Sequence, residues 1–247
     1  MKNNSKKAVC LVVGAGDDTG AAIAKTFAAD GFKACIVRRP RHIDKLHSLA
    51  DEIINQGGEA YPFGVDARDE TQMVEMIEKI ESEIGPIEVV VFNIGANVRF
   101  SITETTSQVY RKVWEMACFA GFLTGREVSK RMLLRKRGTI IFTGATASMR
   151  GSEGFSAFSG AKFALRALAQ SMARELGPSN IHVIHSIIDG PINSTFIREN
   201  LPNVDQMLEN DALLAPMEIA KNYLNLHKQA RTAWTHEIDL RPWSEKW

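Results

Sequence analysis

The chain has 247 residues, 45% of them hydrophobic and 24% charged, with 30 basic against 29 acidic side chains. That is the make-up of an ordinary soluble globular protein, and a net charge of +1 argues against one whose main task is coating nucleic acid or an acidic membrane surface. No hydrophobic stretch has the length of a signal peptide or a membrane span, and the three well-separated cysteines (Cys10, Cys35, Cys118) read as reduced core residues, so a cytoplasmic location is expected.

In chain order, apolar β-branched runs alternate with segments of helical period. This predicts an α/β fold of one domain over 1–247, a doubly wound parallel sheet with helices on both faces. Residues 8–13 are continuously apolar, as a strand buried on both faces should be. Residues 19–29 carry Ala22, Ile23 and Phe27 at helical spacing and stop at Gly31. A strand at 33–37 and a helix over 44–56 follow, the latter with Leu46, Leu49, Ile53 and Ile54 inward and Gly57-Gly58 as its stop. Further strands are expected at 60–65, 88–93, 139–143 and 182–188, and further helices over 70–83, 108–136 and 158–176. The long apolar faces of the last two helices, which include Trp114, Phe122 and Phe163, suit either intrachain burial or a subunit contact.

The turn Gly14-Ala15-Gly16-Asp17-Asp18-Thr19-Gly20 joins the first strand to the first helix. Glycines there let a backbone approach a pyrophosphate, and the free amides of a helix N-terminus favour anions. Gly14, Gly16, Thr19 and Gly20 are therefore candidate dinucleotide contacts, with a plain tight turn as the alternative. Asp17 and Asp18 would repel a pyrophosphate unless they face away; helix N-capping is their other reading. The second strand ends in Arg38-Arg39, where basic residues accommodate a ribose 2′-phosphate, so NADP(H) is favoured over NAD(H). Asp66 is placed to hydrogen-bond an adenine amino group, or to cap the next turn.

Together with Phe92-Asn93-Ile94-Gly95, Lys162 and Asp189-Gly190-Pro191-Ile192, these motifs make the chain resemble the short-chain dehydrogenase/reductase family over nearly its whole length, which implies a Rossmann-type fold. The resemblance assigns Asn93 and Gly95 to the family's Asn-Asn-Ala-Gly motif and Lys162 to its catalytic, ribose-holding lysine. It also places Gly190, Ile192, Ser194 and Thr195 near the nicotinamide and makes 196–214 a variable lid over the substrate cleft. It further implies a homodimer or homotetramer, and a C-terminal strand and subunit contact near Trp234 and Trp243.

Family members transfer a hydride between a nicotinamide and a carbonyl or alcohol. A tyrosine serves as acid/base, a lysine lowers its pKa, a serine polarises the oxygen and an asparagine supports a relay water. In this chain the tyrosine position is Phe158, the serine position Ala145 and the asparagine position Ala117; only Lys162 remains. Thr146 and Ser148 are the nearest hydroxyls that could polarise a carbonyl. Ser159 is expected to point about 100° away from Phe158 on a helix. Arg150, Glu153 and Asp189 are loop charges, and a desolvated carboxyl among them could act as an acid. His182 and His185 fall on opposite strand faces, and no metal-site spacing appears. The expected function is an NADP(H)-dependent oxidoreductase acting on an unidentified small carbonyl or alcohol through a non-standard proton donor. The alternative is a catalytically silent dinucleotide- or partner-binding relative, a sensor or assembly subunit; a lyase run on the same scaffold is a weaker third.

Overall fold

The computed structural model describes residues 7–245. The chain runs β1 (Val9–Val13), α1 (Thr19–Ala29), β2 (Lys33–Arg38), α2 (Ile43–Asn55), β3 (Glu59–Gly64), α3 (Glu70–Lys79), β4 (Ile87–Phe92) and α4 (Ser107–Trp114). It continues through α5 (Ala120–Arg135), β5 (Gly138–Thr143), α6 (Ser156–Leu176), β6 (Ile181–Ile188), α7 (Thr195–Asn200), α8 (Val204–Glu209), α9 (Pro216–His227) and β7 (Glu237–Leu240). The strands form one parallel sheet in the order β3-β2-β1-β4-β5-β6-β7.

Alternation along β1 builds both halves of the core, since successive side chains leave a strand on opposite faces. Val9, Leu11 and Val13 pack with Met73 and Ile77 of α3, Val128 and Met132 of α5 and Leu165 of α6. Cys10 and Val12 pack with Ile23 and Phe27 of α1, Leu46 and Ile53 of α2 and Tyr223 of α9. All three cysteines are buried and unbridged. The edge strand β3 is only half-buried and carries Pro62, which an edge tolerates because it needs no ladder N–H there.

Two predicted helices are interrupted. The segment 108–136 is α4 and α5 joined by a π turn at Glu115–Phe119, and α3 likewise runs into a π turn at Ile80–Ile84. Each π turn is a single turn in an otherwise helical segment, too short a departure for the overall helical pattern to mark. The N-capping role open to Asp18 is also corrected: it occupies that position, but its side chain makes no cap hydrogen bond. His182 and His185 do face opposite ways. His182 stacks on Trp234 with ring centroids 4.6 Å apart, while His185 Nδ1 lies 2.9 Å from Glu237.

Candidate active site

The strand order reverses between β1 and β4, and such a reversal opens a crevice at the carboxyl ends of the strands. The turn after β1 is tied to both neighbours there. Gly14 and Ala15 each donate an amide to Val37 O at 3.0 Å; Asn93 donates its amide to Val13 O at 2.8 Å and its side-chain Nδ2 to Gly14 O at 3.2 Å. Gly14 has φ +93°, and a Cβ on it would lie 2.9 Å from the Asn93 carbonyl. A Cβ on Gly20 would lie 2.5 Å from Gly14 O, so α1 packs on the turn at glycine-only distance, whereas Gly16 and Gly95 face open space. The backbone amides of residues 17–20 have no protein acceptor among the described residues. This cradle of amides at a helix N-terminus suits a pyrophosphate.

Both aspartates of the turn are occupied. Asp17 accepts Arg38 Nη1 at 2.6 Å and Lys45 Nζ at 2.7 Å. Burial pushes its carboxyl up, but the hydrogen bonds from Lys45 and Arg38 outweigh that and hold it below the usual range. Asp18 accepts the backbone N and Oγ1 of Thr195 at 3.1 and 3.3 Å, joining the nucleotide turn to the start of α7.

A cavity of about 240 Å³ beside the turn is lined by Gly14, Gly16, Arg38, Arg39, Asp66 and Asn93, among others. Arg39 makes no ion pair among the described residues. Burial, and then the positive charges of Arg41 and Arg68, lower its pKa against the opposing pull of Asp66. Asp66 is held by Arg68 Nε and Nη2 at 2.9 and 2.5 Å, and these hydrogen bonds lower its pKa.

The residues from Asn93 to Ala96 also line a second cavity, of about 680 Å³. Lys162 lies at its base, 2% exposed, with Nζ donating to Thr143 O at 2.8 Å and Ile94 O at 3.1 Å. Burial brings its pKa down to about 8. The Phe158 ring lies one helical turn away, 5.8 Å from that ammonium, and Ala145 lines the same wall. Ala117 is fully buried inside the π turn.

Three hydroxyl assignments change. Thr146 lines the cavity, but its Oγ1 donates to Asp189 Oδ1 at 2.6 Å, so its proton is committed. Ser148 is fully buried, is absent from the cavity wall, and accepts the Ala145 amide at 3.1 Å. Ser159, expected to point away, lines the cavity with Lys162; its buried Oγ has no partner. The i, i+3 spacing of Ser159 and Lys162 is the signal that could have found it.

Asp189 is no free acid: Thr146, Arg150 at 3.3 Å and Arg241 at 3.2 Å surround it. Glu153 is exposed and does not line the cavity. At the outer side, Gly190, Ile192, Ser194, Phe196 and Ile197 complete the wall; Ser194 Oγ also caps α7 by accepting the Ile197 amide at 3.3 Å. Of the segment 196–214, then, Phe196 and Ile197 reach the cleft, while the exposed Trp243 ties down its far end by donating Nε1 to Asn210 O at 3.0 Å.

Among the described residues no helix is long and apolar enough to cross a membrane, and no group of three side chains could hold a metal ion. The glycine turn, its free amides and the two joined cavities together fit a nicotinamide dinucleotide.

Residues 8–205 match the family model described as short chain dehydrogenase. The chain is 31% identical over 191 residues to a short-chain dehydrogenase/reductase of Armillaria gallica, covering 77% of this chain and 73% of that one. A short-chain dehydrogenase from Rhodopseudomonas palustris superposes with a TM-score of 0.82 at 46% identity, covering 96% of this chain and 99% of the other. An actinorhodin polyketide ketoreductase with NADPH shares the fold at a TM-score of 0.86 but only 20% identity, over 96% of each chain. On its sequence match, its seven-stranded parallel sheet and its crevice at the strand-order reversal, this chain belongs to the short-chain dehydrogenase family of nicotinamide-dependent oxidoreductases.

Proposed function

We propose that the chain is an NADP(H)-dependent reductase of a carbonyl compound in which Lys162 holds the proton that the family's tyrosine would carry. One observation carries this reading: Lys162 is buried at the base of the larger cavity, held by two carbonyl oxygens, and burial brings its pKa down to about 8. The other charged side chain in that wall is Arg150. When bound, the reduced nicotinamide supplies a hydride to a carbonyl carbon. The chain's own work is to deliver a proton to the carbonyl oxygen at the same time. Lys162 Nζ spends two N–H bonds on Ile94 O and Thr143 O and has a third for the cleft. Ser159, buried and unpartnered, takes the oxygen-polarising place left empty at Ala145, instead of Thr146 or Ser148.

Selection of NADP(H) is assigned to Arg39 more than to Arg38, because Arg38 is already held by Asp17. Gly14, Gly16, Thr19 and Gly20 take the pyrophosphate, Asp66 the adenine side, and Asn93, Gly95, Gly190, Ile192 and Ser194 the nicotinamide side. The exposed aromatic side chains Tyr110, Trp114, Phe122 and Phe163 support self-association as a homodimer or homotetramer, which light scattering measures.

The test has two parts. Fluorescence titration should show saturable NADPH binding and weaker NADH binding. Reduction of a carbonyl panel should follow a single ionisation, with kcat/KM falling above about pH 8 and lost in Lys162→Met. Tight NADPH binding without turnover of any carbonyl would instead support the silent reading, which the loss of tyrosine, serine and asparagine at positions 158, 145 and 117 favours.

A further inference from the structure

We infer that the cleft takes a carbonyl compound bearing a carboxylate, with Arg150 as the group that anchors it. The inference rests on the reading of this cleft as a carbonyl-reducing site and adds the class of substrate. The cavity wall is largely apolar, with Phe155, Phe158 and Phe196 among its side chains, and its charged members are Lys162 and Arg150. Among the described residues no aspartate or glutamate lines it; the acid behind its rim is Asp189, so the groups the wall itself presents to a ligand at base and rim are cationic.

Lys162 is buried at the base and engaged by two carbonyl oxygens. Arg150 follows the short turn Thr146–Ser148, and its side chain is 42% exposed. Its one ion pair is with Asp189, through Nη2 alone and at 3.3 Å. That carboxylate is shared: Oδ1 already accepts Thr146 Oγ1 at 2.6 Å, and Oδ2 lies 3.2 Å from Arg241 Nη2. Asp189 therefore fixes one edge of the Arg150 guanidinium through a single long contact, while Arg241 is held mainly by Asp239. Nε and Nη1 have no acceptor among the described residues. Nη2 keeps a second N–H that no described residue accepts, so one edge of the planar guanidinium, Nη2 with its neighbouring nitrogen, stays open to take a carboxylate bidentately. Glu153, the closest acid in sequence, makes no ion pair with Arg150 and stands outside the cavity wall. An apolar body with an anionic end would thus meet phenylalanines along its length and Arg150 at its charged end.

A matched pair of probes differing only in charge tests this: 4-formylbenzoate and its methyl ester. Binding of each to the full chain is measured by calorimetry, with and without saturating NADP⁺, so that no hydride is available and affinity is read apart from turnover. Loss of a charge-assisted hydrogen bond costs roughly 10- to 100-fold in affinity, and the acid should bind tighter than the ester by about that factor. Arg150→Gln should bring the acid down to the ester's affinity, while Arg150→Lys, which keeps the charge but not the fork, should retain part of the preference. Circular dichroism on each variant checks folding. Equal affinities in the parent chain, or a preference that survives Arg150→Gln, would overturn the inference. A preference that depends on Arg150 without turnover of either probe under NADPH would uphold the anion site and count against the reductase reading.

Discussion

Replacing Lys162 by methionine tests the burial on which the proposed chemistry depends. The ammonium is 2% exposed and has no carboxylate partner, only the oxygens of Ile94 and Thr143. Burial lowers its pKa from 10.5 to about 8, and at about 1.4 kcal/mol per pKa unit this corresponds to about 3 kcal/mol. The sign follows from proton counts. Between pH 8 and 10.5 the unfolded chain binds the proton and the folded chain does not, so stability rises with pH across that window. Below about pH 8 the folded state bears the whole cost of burying the charge. Lys162→Met removes the cost but leaves two carbonyl oxygens without their donor, at about 1–3 kcal/mol each. The two effects largely cancel near pH 7. The informative quantity is therefore the pH dependence of the difference between the two proteins, measured by urea unfolding at intervals from pH 7 to 10.5. The parent should gain about 3 kcal/mol relative to Lys162→Met over that range. A difference that stays flat would refute the claim that Lys162 is desolvated, and with it the assignment of the transferable proton.

Three other outcomes follow from contacts around the crevice. Arg39→Gln should weaken NADPH by roughly 10- to 100-fold and leave NADH nearly unchanged. Arg38→Gln should act less selectively, because it also leaves Asp17, beside the amide cradle, with Lys45 alone; fluorescence titration separates the two. Asp189→Ala leaves the Thr146 hydroxyl and Arg150 without their acceptor, while Arg241 keeps Asp239, and should cost about 1–3 kcal/mol of stability by denaturant unfolding. Gly20→Ala, whose Cβ would lie 2.5 Å from a backbone oxygen, should force the turn apart and abolish dinucleotide binding even if thermal unfolding still shows a cooperative fold.

Much of the scaffold is visible in local pattern. The continuous apolar run at 9–13 and the mixed run at 181–188 are buried on both faces, and the glycine stops at 31 and 57 have positive φ. The site is less visible because its polar groups choose among partners far away in the chain. Thr146 and Ser148 sit on the expected loop, yet one hydroxyl is drawn to Asp189, 43 residues on, and the other turns back to the Ala145 amide. Ser159 stands about 100° around the helix from Phe158, yet the cavity is wide enough for Phe158, Ser159 and Lys162 to share it. Asp17 reads as a charge hostile to phosphate until Arg38 and Lys45 are seen to neutralise it.

By itself the sequence determined the alternation of strand and helix, the glycine turn after β1, the lysine at 162 and the absence of tyrosine, serine and asparagine at 158, 145 and 117, because these depend on residue type and short-range spacing. Only the tertiary structure decided which charges are paired and which are free. Arg38 is bound by an acid from the preceding turn while Arg39 is not, Arg150 shares its one acid with Arg241, and Lys162 is surrounded by carbonyls with no carboxylate. Coulomb energy and desolvation depend on distance through space and on exclusion of water, and both are set by how the sheet brings its strand ends together.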